Sequence, residues 1–271
     1  MINMENYMEK YDDLKKTIIY NFNLGNGGIG DLIKFFIALL KICIYYDIQL
    51  KYMINNIPIE KFITLKHKKM YFDNKNIKYE KKYLSDIKDM KDGDVYIISP
   101  GIFYNNANNS IFYNNINIKG EEVFEFSDEI ILNSNILFPN NIDDYISIHL
   151  RLGDKFLETD MNYVECKNDV RIYDETKLFN YIENNSNDKN ILFFCDNNKY
   201  KRKIKDKYDN IIIINSDIGH TSFNNTSEKQ VLDTVTEFYI LSNSKEIIQA
   251  SWSGFSYMAG SHKNIPIHRI Y

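Results

Sequence analysis

The sequence predicts an α/β protein of two domains, each built on a parallel sheet, with the ligand held mainly by the second. Three observations predict this. An apolar strand runs through a glycine-rich turn into a helix near the start; a second strand–helix series begins near Asp143; and polar residues gather at the ends of those later strands. The 271 residues suffice for one large α/β domain or two small ones, and 44% hydrophobic against 26% charged residues is a globular balance.

Thr17 to Phe22 (TIIYNF) reads as a buried strand. It enters Gly25-Asn26-Gly27-Gly28-Ile29-Gly30-Asp31 and then an apolar helical run from Leu32 to Tyr46, with Ile48 to Ile54 as the next strand. That order opens a βαβ unit. The pattern from Asn55 to Asn141 is less regular: Asp94 to Ile98 reads as a strand, and Asn105 to Asn117 as an Asn-rich loop that either contacts substrate or is plain surface. In the second series, Tyr145 to Leu150 is a strand ending in Arg151-Leu152-Gly153-Asp154. Thr176 to Glu183 reads as a helix, Asn190 to Phe194 as a strand ending in Cys195-Asp196-Asn197, and Lys199 to Tyr208 as a basic helix. The strand Ile211 to Ile214 follows, then a helix opened by Ser227 and running to about Ser242, then the strand Glu246 to Gln249. The expected division is 1–141 and 142–271. Ligands of parallel sheets bind beyond the carboxyl ends of the strands.

Composition sets bounds on function. A formal charge of −4 offers no polycationic surface, so nucleic acid is not an expected partner, although a local phosphate pocket is compatible with it. Cys43, Cys166 and Cys195 show no CxxC spacing, which argues against a disulfide framework or cysteine-rich zinc site and fits a reducing, cytoplasmic setting. Met1 to Lys16 is too polar for a secretory signal, and Leu32 to Tyr46, interrupted by Lys34 and Lys41, is too short to span a bilayer. No His/Asp/Glu group has metal-ligand spacing, Asp12-Asp13 and Asp143-Asp144 being too generic, so no metal cofactor is expected. His67, His262 and His268 read as surface or unassigned residues, and His220 as either a loop residue or a ligand contact.

His149, Arg151, Gly153 and Asp154 form an HxRxGD motif at a strand end. A guanidinium there can fork two donors onto a diphosphate. Gly153 permits a sharp turn, and Asp154 can orient the arginine; a surface Arg–Asp pair is the alternative. Ser253, Gly254, Phe255 and Ser256 lie between a strand and a short helix, where small residues and free N–H groups make an anion site or a plain capped turn. Asp196 and Asn197 suit a ligand contact or a turn cap.

Taken in order, HxRxGD, FCDN and EFYILSNSKEIIQASWSGFS resemble the C-terminal half of the α1,2-, α1,6- and protein-O-fucosyltransferases, over about Asp143 to Ala259. The resemblance implies a GT-B-like architecture of two Rossmann-like domains facing a central cleft, the first on the acceptor side and the second holding the nucleotide sugar. It implies inverting transfer of L-fucose from GDP-fucose to a hydroxyl of a glycan or other acceptor. Arg151 would bind the donor diphosphate and stabilise the departing GDP, His149 would approach the guanine or ribose, and Ser253 to Ser256 would line the diphosphate. Glu237 stands where the family has a guanine-reading aspartate, and Asn197 replaces a second aspartate. Gly27-Gly28-Ile29-Gly30-Asp31 resembles the family's GGxGN segment, so Gly28 and Gly30 would face the donor, and Asp31 would serve as general base or as N-cap of the Leu32 helix. The GGIGD run also resembles bacterial heptosyltransferases. A heptosyl- or other hexosyltransferase, or a non-catalytic nucleotide- or glycan-binding module, are therefore the competing readings.

Overall fold

The computed structural model describes residues 3–73, 78–100, 116–138, 144–157, 169–186, 189–223 and 225–271. Most of the Asn105–Asn117 loop and Cys166 lie outside these residues. The chain divides into two units, Met1–Glu125 and Phe126–Tyr271.

In the first unit a short helix, α1 (Met4–Glu9), precedes β1 (Thr17–Asn21). Ile18, Ile19 and Tyr20 on successive positions are all buried, which is what a strand covered on both faces requires. Helix α2 (Ile29–Tyr45) follows, then β2 (Gln49–Met53), β3 (Ile63–Leu65), β4 (Tyr71–Phe72), β5 (Glu80–Lys81), β6 (Val95–Ile98), α3 (Gly120–Val123) and β7 (Phe124–Phe126). Five strands form one parallel sheet in the order β4-β2-β1-β6-β5, with Thr17 in register with Gln49 on one side and Val95 on the other. The longest strands sit at the centre and two-residue strands at the edges, so few unpaired backbone groups are presented.

The second unit comprises α4 (Asp128–Leu137), β8 (Ile146–Leu150), α5 (Glu175–Asn185), β9 (Ile191–Cys195), α6 (Asn198–Lys207), β10 (Ile212–Ile213), α7 (Glu228–Leu241), β11 (Ile247–Gln249), α8 (Gly254–Lys263) and β12 (Ile267–Arg269). Its sheet is also parallel, in the order β10-β9-β8-β11-β12. The chain thus moves outward from β8 to β10, then returns through α7 to β11 on the other side of β8. The strand order reverses between β8 and β11, and the carboxyl ends of strands at such a point are the usual ligand position in these sheets. Beneath it Ile148, Leu150, Phe193 and Ile248 pack with Leu178, Ile182 and Ile204 of the covering helices.

The division lies earlier than the expected 141/142. Helix α4 belongs to the second unit because Asn133 Nδ2 donates to Asp233 Oδ1 at 3.1 Å and Thr236 Oγ1 at 2.9 Å, both on α7. Parallel sheets in two groups agree with the predicted fold class.

Candidate functional site

The carboxyl ends of β8, β9 and β11 meet around Arg151. Ser251 ties β11 to β8: its hydroxyl donates to the Arg151 carbonyl at 2.8 Å and accepts the Arg151 N–H at 2.8 Å. Asp196, just past β9, accepts the N–H groups of Leu152 at 2.7 Å and Gly153 at 2.9 Å, and its Oδ2 lies 3.3 Å from Arg151 Nη1. Asp196 therefore braces the turn after β8, leaving little of its carboxylate for a ligand. Asn197 caps α6 instead, accepting the Tyr200 N–H at 2.8 Å.

Asp154 pairs with Arg151 Nη2, and Asp169 lies 3.9 Å from the same nitrogen. Three carboxylates thus frame one guanidinium, which is held in a fixed orientation while its side chain is still 20% exposed. Gly153 is required twice over. Its φ of +109° disfavours any L side chain, and a Cβ there would stand 2.2 Å from the Asp169 carbonyl oxygen. The close approach arises because residues 169–171 lie across the turn, Arg171 N–H donating to the Leu152 carbonyl at 2.9 Å.

Ser253 is the N-cap of α8 but makes no side-chain capping bond, and the first turn it precedes carries the positive end of the helix dipole, which favours an anion. Gly254, Phe255 and Ser256 form this first turn. Gln249, unmarked in the sequence reading, secures it from below by donating Nε2 to the Ser253 carbonyl at 3.1 Å and to Ser256 Oγ at 2.9 Å. His149 sits opposite Gln249 in the β8–β11 register, with its ring stacked on Phe255 at 5.5 Å. Burial above all, then the nearby charges of Arg151 and Lys201, push its pKa down from 6.5 to about 3, so the imidazole is neutral at physiological pH. It is buried against Phe255 instead of standing open at the strand end. His220 is likewise pushed down to about 3 by burial and then by Arg151, and its Nδ1 accepts the Ser222 N–H at 3.2 Å. That places His220 in the electrostatic environment of Arg151.

Glu237 on α7 is buried, which rules out a solvated helix face. Its Oε1 accepts from Lys201 Nζ at 2.6 Å and from the Ser216 hydroxyl. Lys201 is 1% exposed and also donates to the Ile214 carbonyl at 3.1 Å and Ser216 Oγ at 3.3 Å. The run NKYKRKIKDK reads as a basic helix, and Lys201 lies three residues before buried Ile204, on the apolar stripe of α6. That spacing was the available signal for it.

In the first unit, α2 begins at Gly28, whose carbonyl accepts the Asp31 and Leu32 N–H groups at 3.0 Å. Gly28, not Asp31, is the N-cap, and Gly30 is a buried first-turn residue. Asp31 is the third helical residue, where a carboxylate favours the helix dipole, and it pairs with Lys34 Nζ at 2.7 Å. Gly27, at φ +117°, lies so close that a Cβ would stand 2.4 Å from Asp31 Oδ2. The cysteines Cys43 and Cys195 are buried, and burial pushes both thiols up, leaving them inert. Among the described residues no helix is long and apolar enough to cross a membrane.

No protein-family model matches the sequence, and no curated protein matches it either. Solved structures do. A mutant of Arabidopsis thaliana FUT1 in complex with GDP aligns with a TM-score of 0.58 at 10% identity, covering 99% of this chain and 74% of that one. The α-1,6-fucosyltransferase NodZ soaked with GDP-fucose aligns at 0.53 and 9% identity, over 93% of this chain and 94% of that one. NodZ from Bradyrhizobium aligns at 0.51 and 7% identity, over 90% and 92%. The fold is the GT-B-like one of these fucosyltransferases. At such low identity it is the backbone path that is shared, while the chemistry resides in the residues of this chain.

Proposed function

We propose that the protein is an inverting, metal-independent glycosyltransferase that moves L-fucose from GDP-fucose to a hydroxyl acceptor. The observation that carries this reading is Arg151, oriented by Asp154 and Asp196, beside the first turn of α8. A fixed guanidinium and a helix N-terminus are two preorganised positive groups at the ends of the neighbouring strands β8 and β11. Together they suit a diphosphate leaving group and supply charge stabilisation as it departs. GDP and GDP-fucose in the neighbouring structures support the donor assignment. Glu237, fixed through Oε1, keeps Oε2 to accept a guanine N–H. Single displacement by the acceptor hydroxyl inverts the anomeric carbon and leaves no covalent sugar intermediate.

Calorimetry across GDP-, UDP-, ADP- and CMP-sugars tests the donor, because a ligand of the native state is read directly as heat or added stability. GDP and GDP-fucose are expected to bind equally well with and without a chelator. Binding lost on chelation, or confined to UDP- or ADP-sugars, overturns the assignment.

Asp31 is proposed as the base that takes the acceptor proton. Asp31→Asn is expected to lower turnover while GDP affinity stays nearly unchanged. Normal turnover with a loss of roughly 0.3–1 kcal/mol of stability would instead mark Asp31 as a helix-dipole partner only.

A further inference from the structure

Trp252 is the only tryptophan of the chain, and it is 52% exposed. It stands immediately before Ser253, the α8 N-cap, and Tyr257 one turn into that helix is half-exposed as well. These are the two positions that flank a helix start and often pack together. Tyr173 bridges Ser251 in antiparallel fashion, which sets Ile172, 89% exposed, opposite Trp252. The indole itself is not loose. The Arg171 guanidinium lies over its ring, 5.5 Å from the centroid. Arg171 is in turn held by Asp169, with Nε to Oδ1 at 3.0 Å and Nη2 to Oδ2 at 3.3 Å. Asp169 Oδ2 also accepts the Asp154 N–H at 3.2 Å and faces Arg151.

We infer that Trp252, braced by Arg171, is a stacking platform for a neutral pyranose ring of the acceptor glycan. The inference rests on the glycosyltransferase reading above. A cation over an aromatic ring favours one ring orientation by about 0.5–1 kcal/mol at an exposed site, so the indole is biased before any ligand arrives. The C–H face of a pyranose is apolar and about the size of an indole, whereas its hydroxyls at the rim need charged or polar partners. The platform supplies both: Trp252, Ile172 and Tyr257 are apolar, and Arg171 and Asp169 are ionic. That ionic edge disfavours an acyl chain, and a single aromatic face is too small for a stable protein interface. Successive contacts from Trp252 through Arg171 and Asp169 to Arg151 join the platform to the residue proposed to hold the diphosphate.

Tryptophan emission reports this position alone. With GDP present, neutral β-linked disaccharides of glucose, galactose and N-acetylglucosamine are titrated, with sorbitol and a neutral hexapeptide as controls. A saturable emission change is expected with at least one disaccharide and with neither control. By calorimetry Trp252→Ala is expected to weaken that disaccharide about tenfold or more, Trp252→Tyr to recover part of the loss, and GDP affinity to stay within about twofold in both. No saturable response to any disaccharide, in protein that binds GDP, overturns the platform and leaves the donor reading standing. Protein that binds neither GDP nor saccharide overturns the donor reading, and the platform with it. A response to the peptide alone overturns the ligand class.

Discussion

Arg151→Ala is expected to lower transfer turnover by about 10²–10³, with a smaller loss in GDP affinity. A guanidinium opposed to a diphosphate gains most when negative charge grows on the leaving group, so it counts more in the transition state than in the ground state. The framing carboxylates sharpen the expectation. Asp154, Asp196 and Asp169 surround Arg151, so its removal leaves three like charges where the diphosphate has to enter. Alanine therefore loses an attractive group and uncovers a repulsive one, and some stability is expected to go with it. Arg151→Lys separates these effects: it keeps the positive charge but cannot fork between Asp154 and Asp196. Lysine is expected to restore most of the stability and only a minor part of the rate. Steady-state kinetics with thermal unfolding of both variants decides the matter. Near-normal transfer by well-folded Arg151→Ala would show that the phosphate role is wrong.

The largest effect on stability is expected from Lys201→Met. The Lys201–Glu237 pair is buried, with Lys201 donating to two further oxygens, so removing the ammonium leaves a buried carboxylate without its counter-charge. Breaking such a pair from one side costs roughly 3–5 kcal/mol, whereas replacing both partners by apolar groups of similar volume is often close to neutral. Urea unfolding of Lys201→Met is expected to show a loss of that size, with Lys201→Met/Glu237→Leu recovering much of it. The Ser216 hydroxyl, which also donates to Glu237, limits the recovery because it loses its acceptor. A single-variant loss under about 1 kcal/mol, or a double variant less stable than the single, would contradict a coupled buried pair.

Much of the fold was legible because burial on both faces of a parallel sheet imposes continuous apolar runs. TIIYNF, YISIHL and NILFF fall on β1, β8 and β9 for that reason, and Ser227 caps α7 as its spacing with Gln230 requires. Short strands such as β4, β5 and β12 carry too few residues to show any period and escaped notice. The start of α2 was displaced by three residues because a glycine N-cap has no side chain to announce it.

What the sequence determined by itself was the α/β class, two parallel-sheet series, and the strand ends carrying Arg151, Asp196 and Ser253. Only the tertiary structure decided who holds whom. It turned Asp196 toward the β8 turn, buried Lys201 against Glu237 and laid Arg171 over Trp252. The physical reason is range. Strand and helix patterns are set by neighbours a few residues apart, whereas these partners are separated by up to 81 positions in the chain and meet only when the β8, β9 and β11 ends are brought side by side.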